Sequence, residues 1–267
     1  MTESTVIRDK DKSGTVGYTQ SFKLGETVLI PKGIFLYGKD REEKNIDYDY
    51  KIDVYPVTNK QYKEFVDKTD HEVPYSEGED SKPYIWDKEK RTFPDGMEGH
   101  PVVLVSLNDA TAFCKWRSEI EGIEVRLPTE EEWEKAARGR DGREYPWGDE
   151  FDVNKLNCAD YHVKKELRDY DEWGREFKYG FYELNKKDVF TIEVGRFPDG
   201  TSPYGCHNMT GNVGEWTSSK KDKERFVLRG GSWDSFSIQC RCVHRYGGVP
   251  DGMSVGIGFR CARTLTL

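Results

Sequence analysis

Six cysteines have the widest chemical range of any residue type in this chain, because a thiolate can attack a substrate, bind a soft metal ion or form a disulfide. They are Cys114, Cys158, Cys206, Cys240, Cys242 and Cys261. No two of them have the C-x-x-C spacing of a zinc site. Cys240 and Cys242 are only two residues apart and could be considered as a pair of ligands. The pattern favours buried structural thiols, with at most one disulfide, over a catalytic centre.

Three consecutive acids, Glu130, Glu131 and Glu132, are a second set of residues that could carry chemistry, in this case acid–base catalysis. They directly follow Thr129, whose oxygen can cap a helix while Glu132 completes a capping box. Carboxylates at the positive end of a helix stabilise it, and Gly139 provides a stop at the other end. We therefore predict a helix stabilised by its acids rather than an acid–base site.

Calcium is a third candidate, suggested by a long stretch of the chain that has no evident periodicity. Residues 145–203 contain runs of Lys and Asp with scattered aromatics, and we expect this stretch to be mostly irregular. A segment of this length without regular elements needs an ordering agent or has a function. Hard cations such as calcium bind carboxylate, amide and backbone oxygens, all of which it contains.

The elements that must position these groups can be predicted from capping residues and apolar spacing. Thr58 and Gln61 form a capping box that predicts a helix over residues 59–66. Ser106 and Asp109 predict a second helix, and its apolar residues at helical spacing are expected in the core. Near the N-terminus, residues 28–30 and 34–38 are predicted to pair as a hairpin.

Composition limits the classes of function that are open to this chain. The net charge of -8 argues against general nucleic-acid binding, because no basic stripe would neutralise phosphates. No apolar run is long enough to span a bilayer, and no signal peptide is visible at the N-terminus, so we expect a soluble protein. Residues 1–20 are expected to be a flexible arm and residues 21–267 a single domain, since no linker interrupts them.

The last third of the chain contains glycines beside large aromatics, which predict tight turns packed against rings. Between Trp233 and Gly258 neither strand nor helix periodicity is present. We expect this segment to form surface loops on a rigid frame, the place where binding residues tend to lie.

An ordered set of motifs resembles the formylglycine-generating enzyme, or sulfatase-modifying-factor, family over roughly residues 25–263. The set comprises Val57-Thr58-Asn59, His100-Pro101-Val102, Phe113-Cys114-x-Trp116, residues 126–134, Pro146-Trp147-Gly148, Gly211-Asn212-Val213-x-Glu215-Trp216, Arg229-Gly230-Gly231-Ser232-Trp233 and Gly258-Phe259-Arg260. The resemblance implies an α+β variant of the C-type lectin fold, with little regular secondary structure, long loops and bound structural calcium.

The resemblance also implies where catalytic cysteines would lie. Family members that oxidise a cysteine of a sulfatase hold copper with two thiolates shortly after the Gly-Gly-Ser-aromatic motif, and copper(I) prefers such soft ligands. Here the first position falls on or next to Ser235 and the second on Cys240. A copper-dependent oxidase, with Cys240 and Cys242 as substitute ligands, is therefore the alternative function. Cys114 and Cys261 match a disulfide-forming pair of the family.

Two calcium sites of the family can be placed on this sequence. One would use Asn208 and Glu215 with the carbonyls of Gly211 and Val213. The other would use Asn157 and Asp188 with the carbonyls of Cys158 and Phe190. Without calcium, Asn208 and Glu215 would simply cap turns.

A second branch that shares this fold is the variable protein of diversity-generating retroelements, whose C-terminal loops are diversified by adenine-directed mutagenesis. Substitution of adenines in asparagine codons yields, among others, Asp, Ser, Tyr, His, Gly, Val, Ile and Phe. The candidate binding residues of the segment 234–256 are of these types, with Met253 as the exception. We therefore expect a non-catalytic protein that displays this segment to an unknown ligand, namely a protein surface. The ligand-binding residues would be Asp234, Ser235, Phe236, Ser237, Ile238, His244, Tyr246, Gly247, Gly248, Val249, Gly252, Met253, Ser254 and Val255.

Overall fold

The computed structural model describes residues 25–265, and within them nine short strands form three small sheets. The strands are β1 (Thr27–Ile30), β2 (Gly33–Tyr37), β3 (Glu42–Ile46), β4 (Tyr50–Asp53), β5 (Gly214–Lys220), β6 (Phe226–Arg229), β7 (Arg245–Gly248), β8 (Ile257–Gly258) and β9 (Ala262–Thr264). The sheet orders are β1-β4-β9, β2-β3 and β7-β6-β5-β8. Because β9 pairs with β4, the C-terminal part of the chain closes onto its N-terminal part.

The predicted N-terminal hairpin is wrong in its pairing, although both strands lie where they were expected. Val28 of β1 is opposite Ile52 of β4, whereas Phe35 of β2 is opposite Lys44 of β3. Between β1 and β2 the chain passes through Pro31. A proline ring fixes φ near −65°, whereas tight hairpin turns need a positive φ at their first central residue. The two strands therefore separate and find different partners.

The three helices predicted from capping residues are all present. They are α1 (Asn59–Thr69), α2 (Leu107–Glu121) and α3 (Glu130–Arg138). The N-caps Thr58, Ser106 and Thr129 each form a complete capping box. Helix α1 continues beyond the predicted end at Val66 and stops where Asp70 takes the left-handed conformation, with φ of 57°.

A helical run over residues 170–185 was not predicted, so the expectation of mostly irregular structure over 145–203 is wrong for this part. After α4 (Ala159–Val163), the run consists of α5 (Tyr170–Glu172), a π-helical stretch (Trp173–Tyr182) and α6 (Glu183–Asn185). The Asp169 carboxylate caps its start by accepting a hydrogen bond from Glu172 N at 2.8 Å. Wider π-helical turns move apolar residues off the 3.6-residue spacing, which hides the helix from a periodicity analysis. We refer to residues 159–185 as the cap.

The acids at the start of α3 form ion pairs, two of them with residues from distant parts of the chain. Glu130 pairs with Arg245 at 2.7 Å, and Glu131 pairs with Lys44 at 2.6 Å. Both oxygens of Glu132 accept hydrogen bonds from Arg126, each at 2.7 Å. These contacts support a structural role for the three carboxylates.

Three apolar clusters make up most of the core. The largest joins α1 and α2 to β5 through Tyr62, Phe113, Trp216 and Phe259. The second packs Trp133 of α3 against the first sheet. The third places rings of the cap against Trp233 and Phe236, so the cap belongs to the same folded unit as the C-terminal segment. Within residues 25–265, no helix has both the length and the apolar character needed to cross a bilayer.

Candidate functional site

The C-terminal segment begins at two positions that only glycine can occupy without strain. Gly230 and Gly231 have φ of 96° and 68°. A Cβ on Gly231 would lie 2.9 Å from the carbonyl oxygen of Gln239, because the following turn folds back over it. The sequence Gly230-Gly231 therefore brings residues 235–240 into contact with the strand end that precedes them.

At the position of the implied copper site, the structure has one thiol and one hydroxyl. The Ser235 hydroxyl accepts a hydrogen bond from Ser232 N at 3.0 Å, and the Cys240 sulfur lies 4.0 Å from the carbonyl oxygen of Ser235. Cys240 is completely buried. A hydrogen bond with the Cys158 thiol, together with burial, raises the pKa of Cys240 well above its usual value. Cys240 is thus a protonated, inaccessible thiol at neutral pH.

Cys242 does not join Cys240, so the proposed substitute pair is not formed. Cys242 packs with Trp133 and Cys206 in the second core cluster, whereas Cys240 packs with Tyr145 in a separate one. Burial also raises the pKa of the Cys242 thiol. The two side chains enter different clusters because Cys240 ends a 3-10 helical turn (Ser237–Cys240), so the two cysteines do not lie on one regular strand. Cys240 and Cys242 therefore do not fit a two-sulfur copper site.

The cap covers the first part of the predicted binding segment. Trp173 Nε1 donates a hydrogen bond to the carbonyl oxygen of Asp234 at 2.7 Å, and the ring of Tyr170 meets that of Phe236 at 5.2 Å. As a result Ser235, Phe236 and Ser237 are buried, with 6%, 2% and 3% of their surface exposed. We exclude these three residues from the display surface, because the cap separates them from solvent.

Part of the predicted loop is a strand. Tyr246, Gly247 and Gly248 belong to β7, where Tyr246 is opposite Leu228 and Gly248 is opposite Phe226 of β6. Tyr246 packs against the largest core cluster, its ring lies 4.4 Å from that of His244, and burial raises the pKa of its hydroxyl. These residues are only partly exposed, and they support the sheet more than they extend from it.

Among the candidate binding residues, the exposed side chains lie in two places. Val249 and Met253 are 51% and 48% exposed, and a hydrogen bond from Gly252 N to Val249 O at 2.8 Å closes the turn that carries them. Ile238, 44% exposed, lies apart from them beside the cap. The remaining predicted residues Asp234, His244, Gly252, Ser254 and Val255 are partly exposed.

The turn at residues 249–253 borders a cleft. Leu107 N donates to Pro250 O at 3.0 Å and Leu104 N to Ser254 O at 3.1 Å, which fixes both ends of the turn to the start of α2. Beside it, Met253 and Asp251 line a cavity of about 410 Å³ together with Tyr62, Tyr75 and Lys88. Sequence reasoning missed Tyr62 and Tyr75 at this position, since no local pattern joins residues so far apart in the chain.

The first implied calcium set does not fit a cation. Glu215 is completely buried, and Arg260 donates to both of its carboxylate oxygens at 2.7 Å. Trp133 Nε1 donates to the same carboxylate at 2.8 Å. The Asn208 side-chain oxygen accepts from Gly195 N at 3.1 Å. The guanidinium of Arg260 already supplies the positive charge that Glu215 needs, so Gly211 and Val213 border an ion pair here.

The second implied set contains an oxygen without a partner. Asn157 is completely buried and donates from Nδ2 to Phe190 O at 2.8 Å and to Asn212 Oδ1 at 3.1 Å. Its Oδ1 is buried and, among residues 25–265, has no hydrogen-bond partner. Asp188, which lies two residues before Phe190 in the sequence, is exposed. A buried orphan oxygen of this kind fits a cation ligand.

Mixed small sheets, capped helices and a long C-terminal segment on a glycine frame define a C-type lectin-like protein. Residues 12–265 match the model of the sulfatase-modifying factor enzyme 1-like domain, and the chain belongs to this family. Inactive C-alpha-formylglycine-generating enzyme 2 of Bos taurus is 33% identical over 252 residues, which cover 80% of this chain and 76% of the relative.

Similarity extends to a formylglycine-generating enzyme and to a variable protein. Formylglycine-generating enzyme of Mus musculus is 28% identical over 320 residues, which cover 96% of this chain and 79% of the relative. The structure of Treponema denticola variable protein 1 shares the fold, with a TM-score of 0.63 at 18% identity and coverage of 91% of this chain and 98% of that one. One relative is named as an enzyme and another as inactive, so the names alone do not decide whether this chain is catalytic.

Proposed function

We propose that this chain is a non-catalytic ligand-binding protein, which presents its C-terminal segment on the C-type lectin-like scaffold in the manner of a retroelement variable protein. The observation that carries this proposal is the contrast within residues 234–256. The one thiol at the implied catalytic position, Cys240, is buried, whereas Val249 and Met253 extend into solvent from an anchored turn.

The turn at residues 249–253 is the centre of the proposed surface. Exposed apolar side chains on a rigid turn lose little conformational entropy on binding, which favours recognition of a protein surface. The adjacent cleft would accept a side chain of the partner between Met253 and Tyr75. Ile238, near the cap, is another exposed apolar side chain.

A multiple variant tests whether these residues form a display surface. Joint substitution of Ile238, Val249, Met253 and Ser254 by other polar or aromatic residues should leave the thermal melt and the NMR spectrum of the core unchanged, because exposed sites have small, nearly additive effects. The matched control replaces the buried Phe236 and Ser237 and should destabilise the protein. Unfolding of the first variant would refute the display proposal.

The genetic part of the proposal has its own test. A near-copy of the DNA that encodes about residues 230–260, beside a reverse transcriptase gene, would support diversification of the segment. Absence of this repeat in the source genome would rule out the retroelement assignment. The ligand-binding proposal would then depend on the multiple variant alone.

The alternative, a copper-dependent oxidase that converts a sulfatase cysteine to formylglycine, is favoured by one observation. Cys240 lies directly beneath Ser235, so the two positions of the family's copper site are adjacent here. Only one of them is a thiol, and Cys242 faces another cluster. A copper(I) titration of the reduced protein distinguishes the two functions, because the oxidase requires tight binding and the display protein does not.

We also propose calcium as a structural ligand at the second set, Asn157 and Asp188 with the carbonyls of Cys158 and Phe190. The unpartnered Oδ1 of Asn157 supports this site. Native-state binding at a hundred times Kd would stabilise the fold by about 2.7 kcal/mol. Calcium should therefore raise the melting temperature relative to a chelator, and Asp188→Asn should weaken the effect. An equal melt with calcium and with chelator would eliminate the site, whereas Glu215→Gln is no test because Glu215 is paired with Arg260.

A further inference from the structure

Cys158 and Cys240 meet in the interior although they are far apart in the sequence. Both are completely buried, and they share a small apolar cluster with Tyr145 and Leu156. The Cys158 thiol also contributes to the raised pKa of the Cys240 thiol, so the two side chains that share this cluster interact. Neither the sequence spacing nor the family resemblance indicates this pair.

The backbone on both sides of the pair is fixed by contacts to shared atoms. The carbonyl oxygen of Ser235 accepts a hydrogen bond from Ala159 N at 2.9 Å, and the Cys240 sulfur lies 4.0 Å from the same oxygen. Asp160 Oδ2 accepts from Ser237 N at 3.0 Å and lies 3.8 Å from the Cys158 sulfur. The start of α4, which directly follows Cys158, and the turn that ends at Cys240 are thus held side by side.

The other four cysteines divide into one more pair and two single thiols. The sulfurs of Cys114 and Cys261 are 3.6 Å apart. Cys206 and Cys242 lie in the second core cluster, and no thiol–thiol hydrogen bond joins them among the described residues. Within residues 25–265, all six cysteines are reduced and buried.

We propose that Cys158 and Cys240 form a disulfide when the protein folds in an oxidising environment, and that this bond fastens the start of the cap to the C-terminal segment. With a small-molecule disulfide such as oxidised glutathione as the oxidant, the sulfur–sulfur bond of glutathione breaks while the bond between the two cysteines forms. The two thiol protons pass to the two reduced glutathione molecules, so electrons and protons balance. Because both thiols are buried in the native state, exchange takes place during folding, when thiolates can reach the oxidant.

Disulfide mapping after oxidative refolding tests this pairing. Denatured, reduced protein is refolded in a mixture of reduced and oxidised glutathione, unfolded again, and its free thiols are alkylated before non-reducing peptide mapping. The expected result is one cross-link between Cys158 and Cys240, a second between Cys114 and Cys261, and alkylation of Cys206 and Cys242 alone.

Single variants provide matched controls. Cys158→Ser should leave Cys240 alkylated in addition to Cys206 and Cys242, while the Cys114–Cys261 link persists. Cys206→Ser removes an equally buried thiol that has no thiol partner, and both cross-links should remain.

A second readout keeps the proposal testable if Cys158→Ser does not fold. The Cys114→Ser variant lacks the second expected disulfide, so Cys158–Cys240 is the one remaining bond that a reductant can break. Reductant should therefore lower the melting temperature of this refolded variant. Alkylation of both Cys158 and Cys240 in folded, oxidised wild-type monomer would overturn the proposal. So would a link from either cysteine to Cys206 or Cys242, or a melt that is insensitive to reductant in the Cys114→Ser background.

Discussion

At the scale of single residues, Glu215 is a buried carboxylate of a recognised motif, and Arg260 is its counter-ion in this structure. Its place in Gly211-Asn212-Val213-x-Glu215-Trp216 implied calcium, yet Arg260 holds both carboxylate oxygens. Arg260 also donates to the carbonyl oxygens of Asp53, Val54 and His207. Arg260 therefore ties the segments that contain Asp53, His207 and Glu215 to the C-terminal part of the chain.

Removal of the Glu215 charge should be costly. Glu215→Gln leaves the Arg260 guanidinium buried without its counter-ion, and breaking such a pair costs roughly 3–5 kcal/mol. Urea unfolding of the variant measures the loss. Glu131→Gln is the matched control, because Glu131 pairs with Lys44 at a partly exposed site and its loss should cost less than about 1 kcal/mol. Equal losses in the two variants would show that Glu215 is not held by a buried pair.

Trp233 and Met253 separate the frame from the display surface. Trp233 is 3% exposed, and its ring stacks on Phe190 at 4.8 Å. Trp233→Ala should therefore cost about 3–5 kcal/mol of unfolding free energy. Met253→Ala should change it by less than about 0.5 kcal/mol, because Met253 extends into solvent. Thermal melts of both variants would contradict this division if Met253→Ala lost as much as Trp233→Ala.

The sequence predicts the frame residues better than the surface residues. Burial of Trp233 follows from the glycines beside it, which is local information. The burial of Phe236 depends on Tyr170 and Leu167 of the cap, and the partner of Cys240 is Cys158; neither contact leaves a pattern in the sequence. The residue types of segment 234–256 therefore predict a larger exposed fraction than the segment has in the structure.

At the scale of elements, the cap is the part of the fold that distinguishes this site. His162 lies in α4 among Phe177, Phe181 and Phe190, with ring centroids at 6.3, 5.7 and 5.3 Å. Burial, helped by the charge of Lys164, lowers the pKa of His162 to about 4. Its Nε2 is buried and has no hydrogen-bond partner among the described residues. The cap is thus built around a neutral histidine.

This histidine should make the cap sensitive to acid. The folded pKa of about 4 lies below the ordinary value of 6.5, so the unfolded chain binds a proton first as the pH falls. Stability from His162 is present above pH 6.5 and is lost towards pH 4, by on the order of 2 kcal/mol after allowance for its partial exposure. His162→Phe should remove this loss, which urea unfolding at several pH values measures.

The difference between His162→Phe and wild type is the informative quantity. Burial raises the pKa of Asp160 to about 6, which has the opposite effect on stability over the same pH range. Asp160 is present in both proteins, so its contribution cancels in the difference. A difference in unfolding free energy that stays constant from pH 7 to pH 4.5 would contradict a buried neutral His162.

Elements with local signals were predictable, and elements defined by distant partners were not. The capping boxes at Thr58, Ser106 and Thr129 fix where three helices begin, because cap and partner lie three residues apart. The pairing of β1 with β4 depends on a contact outside the local window. The helical run had one local signal, Asp169 followed by Glu172, but its π-helical winding removed the periodicity that would have supported it.

At the scale of the whole molecule, the position that corresponds to the family's copper site is covered by the cap in this protein. The cap lies over Asp234 and Phe236, the thiol at the implied copper position is buried, and the exposed apolar residues lie on a separate turn. This arrangement favours recognition by the surface over chemistry in the interior. The fold and the family were predictable from the ordered motifs, whereas the covering of the site depends on the cap, which no motif marks.

Aldehyde formation in a peptide that contains a sulfatase cysteine tests this account most directly. The reduced protein is supplied with copper(I) and the peptide in air, beside an active formylglycine-generating enzyme as the positive control, and the peptide mass is followed. We predict that the peptide remains unchanged. Copper-dependent conversion of its cysteine to formylglycine, lost in Cys240→Ser, would contradict the account and establish the chain as an oxidase.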